Sequence, residues 1–176
     1  RPFERVIVWG RNPDAARECA EYALGAGCAH VEVAASVAAA AADADVICTV
    51  TGSPTAILFG RDVRKGTHLC LVGASIPSSR EVDDDLVALS RYFVDYRGSA
   101  LAQAGELLDA IKAGRVTEAH ILGEIGDVLS GTVPGRLADD DVTVYKSLGV
   151  AAQDLVSALV VYRHALERGL GTAAEL

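Results

Sequence analysis

Short apolar runs alternate with longer, polar-capped segments along the chain. The apolar runs are rich in β-branched residues, which predicts strands at residues 5–9, 30–34, 45–51, 69–72, 92–95 and 142–146. The segments between them predict helices at 13–24, 36–43, 83–90, 99–113 and 147–168, with short helices or turns at 59–63 and 123–131. The run at 45–51 is apolar on both faces, as in a parallel strand covered by helices on each side. We therefore predict an α/β fold with a mainly parallel sheet and helices on both faces.

The first predicted helix follows the first strand without a glycine-rich loop. Asn12-Pro13-Asp14 is a helix start, with Asn12 as the N-cap. A doubly wound nucleotide-binding fold normally opens with a strand, the pattern G-x-G-x-x-G and a helix. Because Gly10-Arg11-Asn12 does not match that pattern, we interpret residues 1–9 as the second strand of such a fold. The first strand and its glycine loop are then expected upstream of residue 1, as in a longer protein cut in mid-domain.

Arg11 lies at the carboxyl end of this predicted second strand, where nucleotide-binding folds contact the adenosine ribose. An acidic residue there binds the ribose hydroxyls of NAD, whereas an Arg accommodates the 2′-phosphate of NADP. A guanidinium can place two N–H donors on one phosphate. Arg11 is therefore either a phosphate contact or a surface residue beside the helix cap.

Composition and charge narrow the class of protein. The 176 residues fit one domain with a sizeable core. The net charge of −8 argues against non-specific nucleic-acid binding, and no apolar run approaches the roughly 18 to 20 residues that span a bilayer. The four cysteines form no C-x-x-C pair, and Cys48 and Cys70 lie inside apolar runs. We expect these two to be small core residues of a reduced, cytoplasmic protein without membrane contact.

Acidic and histidine residues do not predict a metal site. We interpret the acidic runs at 83–85 and 139–141 as helix-capping or solvated residues, and the four histidines lack metal-ligand spacing. Lys146, at the end of the last predicted strand, either forms a salt bridge near a cofactor or edges the strand. Glu124 and Arg136 lie in a segment that could shape the substrate side, although the sequence does not define its role.

Seven segments occur in a fixed order and together carry a specific resemblance. They are "VIVWGRNPDAA", "ADVICTVT", "ILFGRDVRKGTHLCLVGAS", "REVDDDL", "FVD", "GEIGDVLSGTVPGR" and "TVYKSLGVAAQDLVSALVVY". Over residues 5–171 the chain resembles the ornithine cyclodeaminase/mu-crystallin family. The resemblance implies a Rossmann-like NAD(P)-binding domain over residues 1–176. It also implies a second domain, upstream, that binds the substrate and mediates a homodimer.

The resemblance implies a reaction as well. We expect an NAD(P)H-dependent oxidoreductase that reduces C=N bonds of amino-acid-derived imines. Its cofactor would be NADP, or alternatively NAD, and its substrate a small amino acid or cyclic imine. Two alternatives stay open. One is an ornithine cyclodeaminase, which converts ornithine to proline and ammonia with bound NAD; the other is a mu-crystallin-like small-ligand-binding protein.

Contacts with the cofactor are carried over from the family by position. Arg11 and Asn12 match residues that hold the 2′-phosphate of NADPH, and Val50 and Thr51 match residues that line the adenosine side. Ser147 matches a contact near the nicotinamide. Ser147 could instead only cap the long helix, whose N-terminus presents free N–H groups.

The strand at 69–72 ends in small residues, as expected where a ligand approaches the carboxyl end of a strand. Val72 and Gly73 match the turn beneath the nicotinamide, and Ser75 is the candidate catalytic residue. In ornithine cyclodeaminases an Asp at the position of Ser75 acts as acid and base, and a Lys stands at the position of Ser79. A hydroxyl can form hydrogen bonds but cannot shuttle protons near neutral pH. Both departures favour an imine reductase over a cyclodeaminase.

Overall fold

The computed structural model of the chain describes residues 3–172 and 174. All strand pairing within them is parallel, which confirms the α/β fold. The smaller of two sheets contains β1 (Val6–Val8) and β2 (Val31–Val33). The larger sheet contains β3 (Val46–Thr49), β4 (His68–Leu71), β5 (Arg91–Val94), β6 (Ile121–Glu124) and β7 (Thr143–Lys146). Across the larger sheet the order is β3-β4-β7-β5-β6.

The helices occupy the segments between the strands. They are α1 (Pro13–Gly25), α2 (Val37–Ala41), α3 (Asp84–Leu89), α4 (Arg97–Gln103), α5 (Gly105–Lys112), α6 (Ile125–Leu129) and α7 (Ala151–Arg168). Two single 3₁₀ turns lie at Gly60–Asp62 and Glu118–His120. Within the described residues, no helix combines the length and the apolar character needed to cross a bilayer.

One strand and one helix in the middle of the chain differ from the prediction. The pattern does not predict β6, because its four residues include Gly123 and run directly into α6. The single helix predicted over 99–113 is two helices, α4 and α5, which meet at Ala104. The break lets the start of α5 approach the loop at 76–79. A Cβ on Gly105 would lie 2.1 Å from the carbonyl oxygen of Ser79, so this close approach requires glycine.

The long C-terminal helix begins later than predicted. α7 starts at Ala151, after Val150, which provides no side-chain cap. The expectation that Ser147 caps this helix is therefore wrong. Gly149 has φ 87°, in the left-handed region, so the chain turns between β7 and α7 instead of entering the helix at once.

The two faces of the larger sheet differ in how well they are covered. Side chains alternate between the faces of a strand, and the strand register places Leu69, Leu71, Val144 and Tyr92 on one face. All four are fully buried in the main core, together with residues of α3 and α5 such as Leu107. Each Å² of apolar surface removed from water stabilises the folded state by about 25 cal/mol, so the buried side chains on this face are the main source of stability.

A cleft of about 1230 Å³ separates the two sheets. Consecutive residues of β1 and of β3 line it, which indicates that both strands face the cleft edge-on. Each of these strands pairs with only one neighbour, β2 or β4, among the described residues. The cleft is thus bordered by strand edges whose backbone N–H and C=O groups lack a strand partner there.

Cys48 and Cys70 are register partners in β3 and β4, on the face opposite the main core. The prediction that both are core residues is wrong, because Cys48 is exposed and Cys70 half-buried. The physical reason is that this part of β3 borders the open cleft. The neighbouring Cys70 thiol lowers the pKa of Cys48 to about 6, and the same proximity, together with burial, raises the pKa of Cys70.

Candidate active site

The candidate site lies at the carboxyl ends of the parallel strands of the larger sheet. Thr49, Leu71, Lys146 and Val94 are register partners at the ends of β3, β4, β7 and β5. The turns that follow these strands therefore lie side by side along one edge of the sheet. This edge is where open α/β sheets bind ligands. The structure places six predicted site residues in these turns: Val50, Thr51, Val72, Gly73, Ser75 and Ser147.

Buried Glu81 joins the turns after β3 and β4. Its Oε1 accepts hydrogen bonds from the backbone N–H and the hydroxyl of Thr51, at 2.5 and 2.8 Å. Its Oε2 accepts from the Thr49 hydroxyl at 2.7 Å and from the N–H groups of Gly73 and Ala74 at 2.9 and 3.3 Å. One carboxylate thus receives five donors, one from the end of β3 and four from the two turns. Hydrogen bonds to an ionised group are roughly twice as strong as neutral ones, so Glu81 fixes both turns.

Gly73 has a packing requirement of its own. A Cβ at this position would lie 2.1 Å from both the backbone N and the backbone O of Thr51, and 2.5 Å from Oε1 of Glu81. Any other residue would push the two turns apart. The predicted contact of Gly73 with a nicotinamide remains a prediction, but the backbone contact with Thr51 already requires glycine here.

Lys146 is fully buried at the end of β7. Its ammonium donates to the carbonyl oxygen of Ala74 and lies 2.8 Å from Oε1 of Glu106 on α5, which is also fully buried. Of the two alternatives for Lys146, the salt bridge is the one found, because β7 is an inner strand of the sheet. The sequence did not indicate its partner.

Asp95 holds the turn after β7. Its Oδ2 accepts hydrogen bonds from the N–H groups of Leu148 at 2.6 Å and Gly149 at 2.8 Å, and from the Ser147 hydroxyl at 3.4 Å. Its Oδ1 accepts the N–H of Tyr96 at 2.8 Å. Ser147 is therefore a half-buried residue anchored by Asp95 at the edge of the site, and its hydroxyl is oriented by that contact.

The surface presented by these turns combines hydroxyls with exposed apolar side chains. Ser75 is exposed directly after the segment that Glu81 and Lys146 hold. Val50 and Val72 are 73% and 44% exposed, which is unusual for valines next to a sheet core. Such an amphipathic surface fits a nucleotide cofactor, whose rings need apolar contacts and whose ribose and amide groups need hydrogen bonds.

Arg11 and Asn12 lie on the other sheet, at the carboxyl end of β1. Arg11 is exposed, and the nearest acid in sequence, Asp14, pairs with Arg17. Asn12 caps α1 as predicted, with its Oδ1 accepting the N–H of Asp14 at 2.9 Å. The structure thus does not bring these two residues together with the other six: the cleft separates the two sheets that carry them.

Glu124 and Arg136 have structural roles. Glu124 forms a capping box with Asp127 at the start of α6 and accepts the N–H of Arg97 at 2.9 Å. Arg136 donates to backbone carbonyls, including that of Gly66 at 2.8 Å, near the amino ends of the strands. Arg136 therefore lies on the side of the sheet away from the candidate site.

The acidic runs also serve the backbone. Asp83 is the N-cap of α3 and accepts the N–H of Leu86 at 3.0 Å, as predicted. Asp141 accepts the N–H groups of Leu137 and Ala138, and these hydrogen bonds lower its pKa. Among residues 3–172 and 174, no three His, Cys, Asp or Glu side chains are arranged to hold a metal ion.

A parallel sheet whose candidate site lies at the carboxyl ends of its strands is typical of a Rossmann-like nucleotide-binding domain, and this is the class to which the fold belongs. The profile of the ornithine cyclodeaminase/mu-crystallin family matches residues 1–169, and the chain belongs to that family. The ketimine reductase mu-crystallin of Mus musculus is 40% identical over 160 residues, which are 91% of this chain and 47% of the relative. The chain spans about half the length of the curated relatives it matches.

Solved structures agree with this assignment. The Delta(1)-pyrroline-2-carboxylate reductase of Thermococcus litoralis, in complex with NADH and L-proline, has a TM-score of 0.88 and 30% identity. The match covers 97% of this chain and 53% of that one. The iminosuccinate reductase of Paracoccus denitrificans, in complex with NAD⁺, has a TM-score of 0.87 and 33% identity, covering 100% of this chain and 53% of the other.

We predict that Glu81→Gln lowers the free energy of unfolding of the chain by about 2–4 kcal/mol, measured by urea denaturation. The amide nitrogen of Gln would face N–H donors and leave at least one buried N–H without an acceptor. Glu18→Gln, on the exposed surface of α1, is the matched control and should change the value by less than about 0.5 kcal/mol. Equal effects of the two substitutions would contradict the role assigned to Glu81.

Proposed function

We propose that the chain is the cofactor-binding part of an NAD(P)H-dependent reductase that acts on C=N bonds of amino-acid-derived imines. The observation that carries the proposal is exposed Ser75, which follows a turn fixed by buried Glu81 and Lys146. Relatives named for imine reduction support it, since the matches to two of their structures cover nearly all of this chain.

The roles proposed for this chain's residues follow from their positions. A bound reduced nicotinamide would supply the hydride that reduces the imine carbon. Ser75 would hydrogen-bond the substrate nitrogen, or a water beside it, and so orient the C=N bond. Val50 and Val72 would provide apolar contacts to the cofactor, and Ser147, held by Asp95, would offer its hydroxyl at the nicotinamide end.

Two observations weigh against ornithine cyclodeamination. Ser75 cannot serve as a proton shuttle near neutral pH. Ser79, where the resemblance leads one to expect a Lys, is buried and donates its hydroxyl to the carbonyl of Ile76 at 3.1 Å. Ser79 therefore has a structural contact in place of a reactive amine.

We further propose that NADP is the preferred cofactor, although the solved relatives named above hold NADH or NAD⁺. Arg11 supports this choice, because it is exposed at the carboxyl end of β1 and can place its guanidinium on a 2′-phosphate. Asn12 still has its amide N–H groups available beside Arg11, since its oxygen caps α1.

The cleft between the sheets supports a proposal about the rest of the nucleotide site. We propose that a single parallel strand with a glycine-rich turn occupies it, pairs with both β1 and β3, and presents backbone N–H groups to the pyrophosphate. The edge-on arrangement of β1 and β3 across the cleft supports this occupant. The same strand would connect Arg11 and Asn12 with the six site residues of the larger sheet.

We also propose that the natural protein is a homodimer. α7 supports an interface, because several large apolar side chains on it are exposed; they are Leu155, Val156, Val161, Tyr162 and Leu166. Sedimentation as a monomer at micromolar concentration would count against this assembly.

The function is tested by the oxidation of NADPH by the protein as its gene encodes it, in the presence of a five-membered cyclic imine carboxylate. We expect a rate of NADPH oxidation that is proportional to the concentration of the protein and, at low imine, to the concentration of the imine. Release of ammonia and proline from ornithine without net change of the cofactor would instead identify a cyclodeaminase. Tight binding of a small ligand without turnover would identify a binding protein.

The choice of cofactor is tested by Arg11→Asp in the same protein. Replacing a charge-assisted phosphate contact by a repulsive carboxylate should raise the Kd for NADPH roughly 100-fold and change that for NADH less than about threefold. Arg17→Asp, an equal change of charge on an exposed residue of α1, is the control and should leave the preference unchanged. An equal loss for both cofactors in Arg11→Asp would show that Arg11 does not contact the 2′-phosphate.

The proposed strand is tested by isothermal titration of residues 1–176 with NADPH. Without an occupant of the cleft the pyrophosphate lacks its backbone donors, so we expect binding in the millimolar range or none. Addition of a strand and a G-x-G-x-x-G turn before residue 1 should restore micromolar binding. Micromolar affinity of residues 1–176 alone would contradict the proposal.

A further inference from the structure

We propose that Lys146 and Glu106 form a buried positioning pair for Ser75. Lys146 would hold the peptide group between Ala74 and Ser75, and Glu106 would hold Lys146. Neither residue reaches the surface where a substrate would bind, so both act through Ser75. This inference rests on the proposed function, in which Ser75 orients the substrate.

Opposite charges hold the backbone on the two sides of Ala74. The N–H of Ala74 donates to Oε2 of Glu81 at 3.3 Å, and the carbonyl of Ala74 accepts from the ammonium of Lys146. That carbonyl belongs to the peptide group that carries the N–H of Ser75. The direction of this peptide group, and with it the starting direction of the Ser75 side chain, is therefore set by Lys146.

An ammonium on a carbonyl oxygen also polarises the peptide group. Electron density drawn toward the oxygen makes the N–H at the other end of the same group a stronger donor. Because Lys146 is fully buried, water does not screen this effect. Ser75 thus gains an oriented and strengthened backbone donor next to its exposed hydroxyl.

The pair is poorly explained as a device for stability. A buried ion pair is often no better than two well-packed apolar side chains, because both charges lose their hydration. Lys146 and Glu106 are both fully buried, and among the described residues Glu106 has no partner besides the ion pair with Lys146. A buried ion pair with so little further support contributes little to stability, which points to a different role.

The backbone around Glu106 fixes the pair to the loop that follows Ser75. Gly105 lies so close to this loop that an added Cβ would be 2.1 Å from the carbonyl oxygen of Ser79 and 2.9 Å from that of Pro77. The start of α5 is therefore in direct contact with the loop. Lys146 holds the loop before Ser75, and the helix that carries its partner supports the loop after Ser75.

The test uses the protein as its gene encodes it and removes both charges at once. In Lys146→Met/Glu106→Leu no buried charge is left unpaired and only the carbonyl of Ala74 loses its donor. We therefore expect the Tm to fall by no more than about 10 °C and the Kd for NADPH to stay near its original value. The kcat for imine reduction should fall roughly 100-fold, because the Ser75 peptide group loses its anchor. Tyr92→Phe is the matched control, since it removes a polar atom from the same buried face of the sheet without touching the turn. Its kcat should not change.

A double-mutant cycle separates positioning from a general effect. If the pair acts by orienting the Ser75 hydroxyl, the same double substitution should reduce kcat less than about threefold further in a Ser75→Ala background. A full multiplicative loss in that background, or an unchanged kcat in the first variant, would overturn the proposal.

A readout independent of turnover keeps the inference distinct from the proposed function. The NMR order parameter of the Ser75 amide should fall from about 0.85 to below about 0.6 in the double variant and stay high in Tyr92→Phe. If the unsubstituted protein does not reduce imines but the double variant still loses order at Ser75, the proposed reaction is contradicted and the positioning role stands. An unchanged order parameter of the Ser75 amide in the double variant would contradict the positioning role.

Discussion

The carboxylate of Glu81 is the interaction on which the candidate site depends. It gathers five donors from the end of β3 and from the turns after β3 and β4. Without it the backbone N–H groups of Thr51 and Ala74 would lack acceptors, whereas that of Gly73 also donates to the carbonyl of Thr49 at 3.1 Å. Because Gly73 packs its backbone directly on Thr51, the two turns tolerate almost no separation. The position of Ser75 follows from this contact, since only Ala74 lies between Gly73 and Ser75.

Buried charged side chains from three separate parts of the chain fix the three turns at this edge of the sheet. Glu81 and Asp95 use carboxylates to collect backbone N–H groups, whereas Lys146 uses an ammonium to hold a carbonyl. Turns expose backbone groups that no strand or helix satisfies, so a charged side chain is an effective substitute for the missing secondary structure. The exposed residues that would meet a ligand can then stay small or apolar, because they do not have to hold the loops in place.

The sequence predicts most of the architecture because its signals are local. Asn12 and Asp83 cap their helices as expected, and the β-branched runs become parallel strands. Elements set by distant contacts are missed: the break between α4 and α5 depends on the approach of Gly105 to Ser79, and the late start of α7 depends on Asp95.

The same distinction applies to the candidate site. The motif positions place six residues on one edge, but Glu81, Asp95 and Glu106 escape notice because an acidic residue in sequence gives no sign of burial. Asp95, between Val94 and Tyr96 at a predicted strand end, carries the one signal of this kind that could have pointed to a buried acid, whereas Glu81 follows Arg80 and carries none.

The separation of the sheets bears on how the chain unfolds. The unit formed by β1, α1 and β2 has only Ala16 and Ala20 as buried apolar residues among those described, and neither belongs to the main core. The larger sheet carries that core almost alone. Cooperativity between two parts of a protein requires shared buried surface, so the smaller unit forms a weaker foldon that opens before the rest. A nucleotide that touched Arg11 on one side and Thr51 on the other would join the two units thermodynamically, and cofactor binding would then act as the final step of folding.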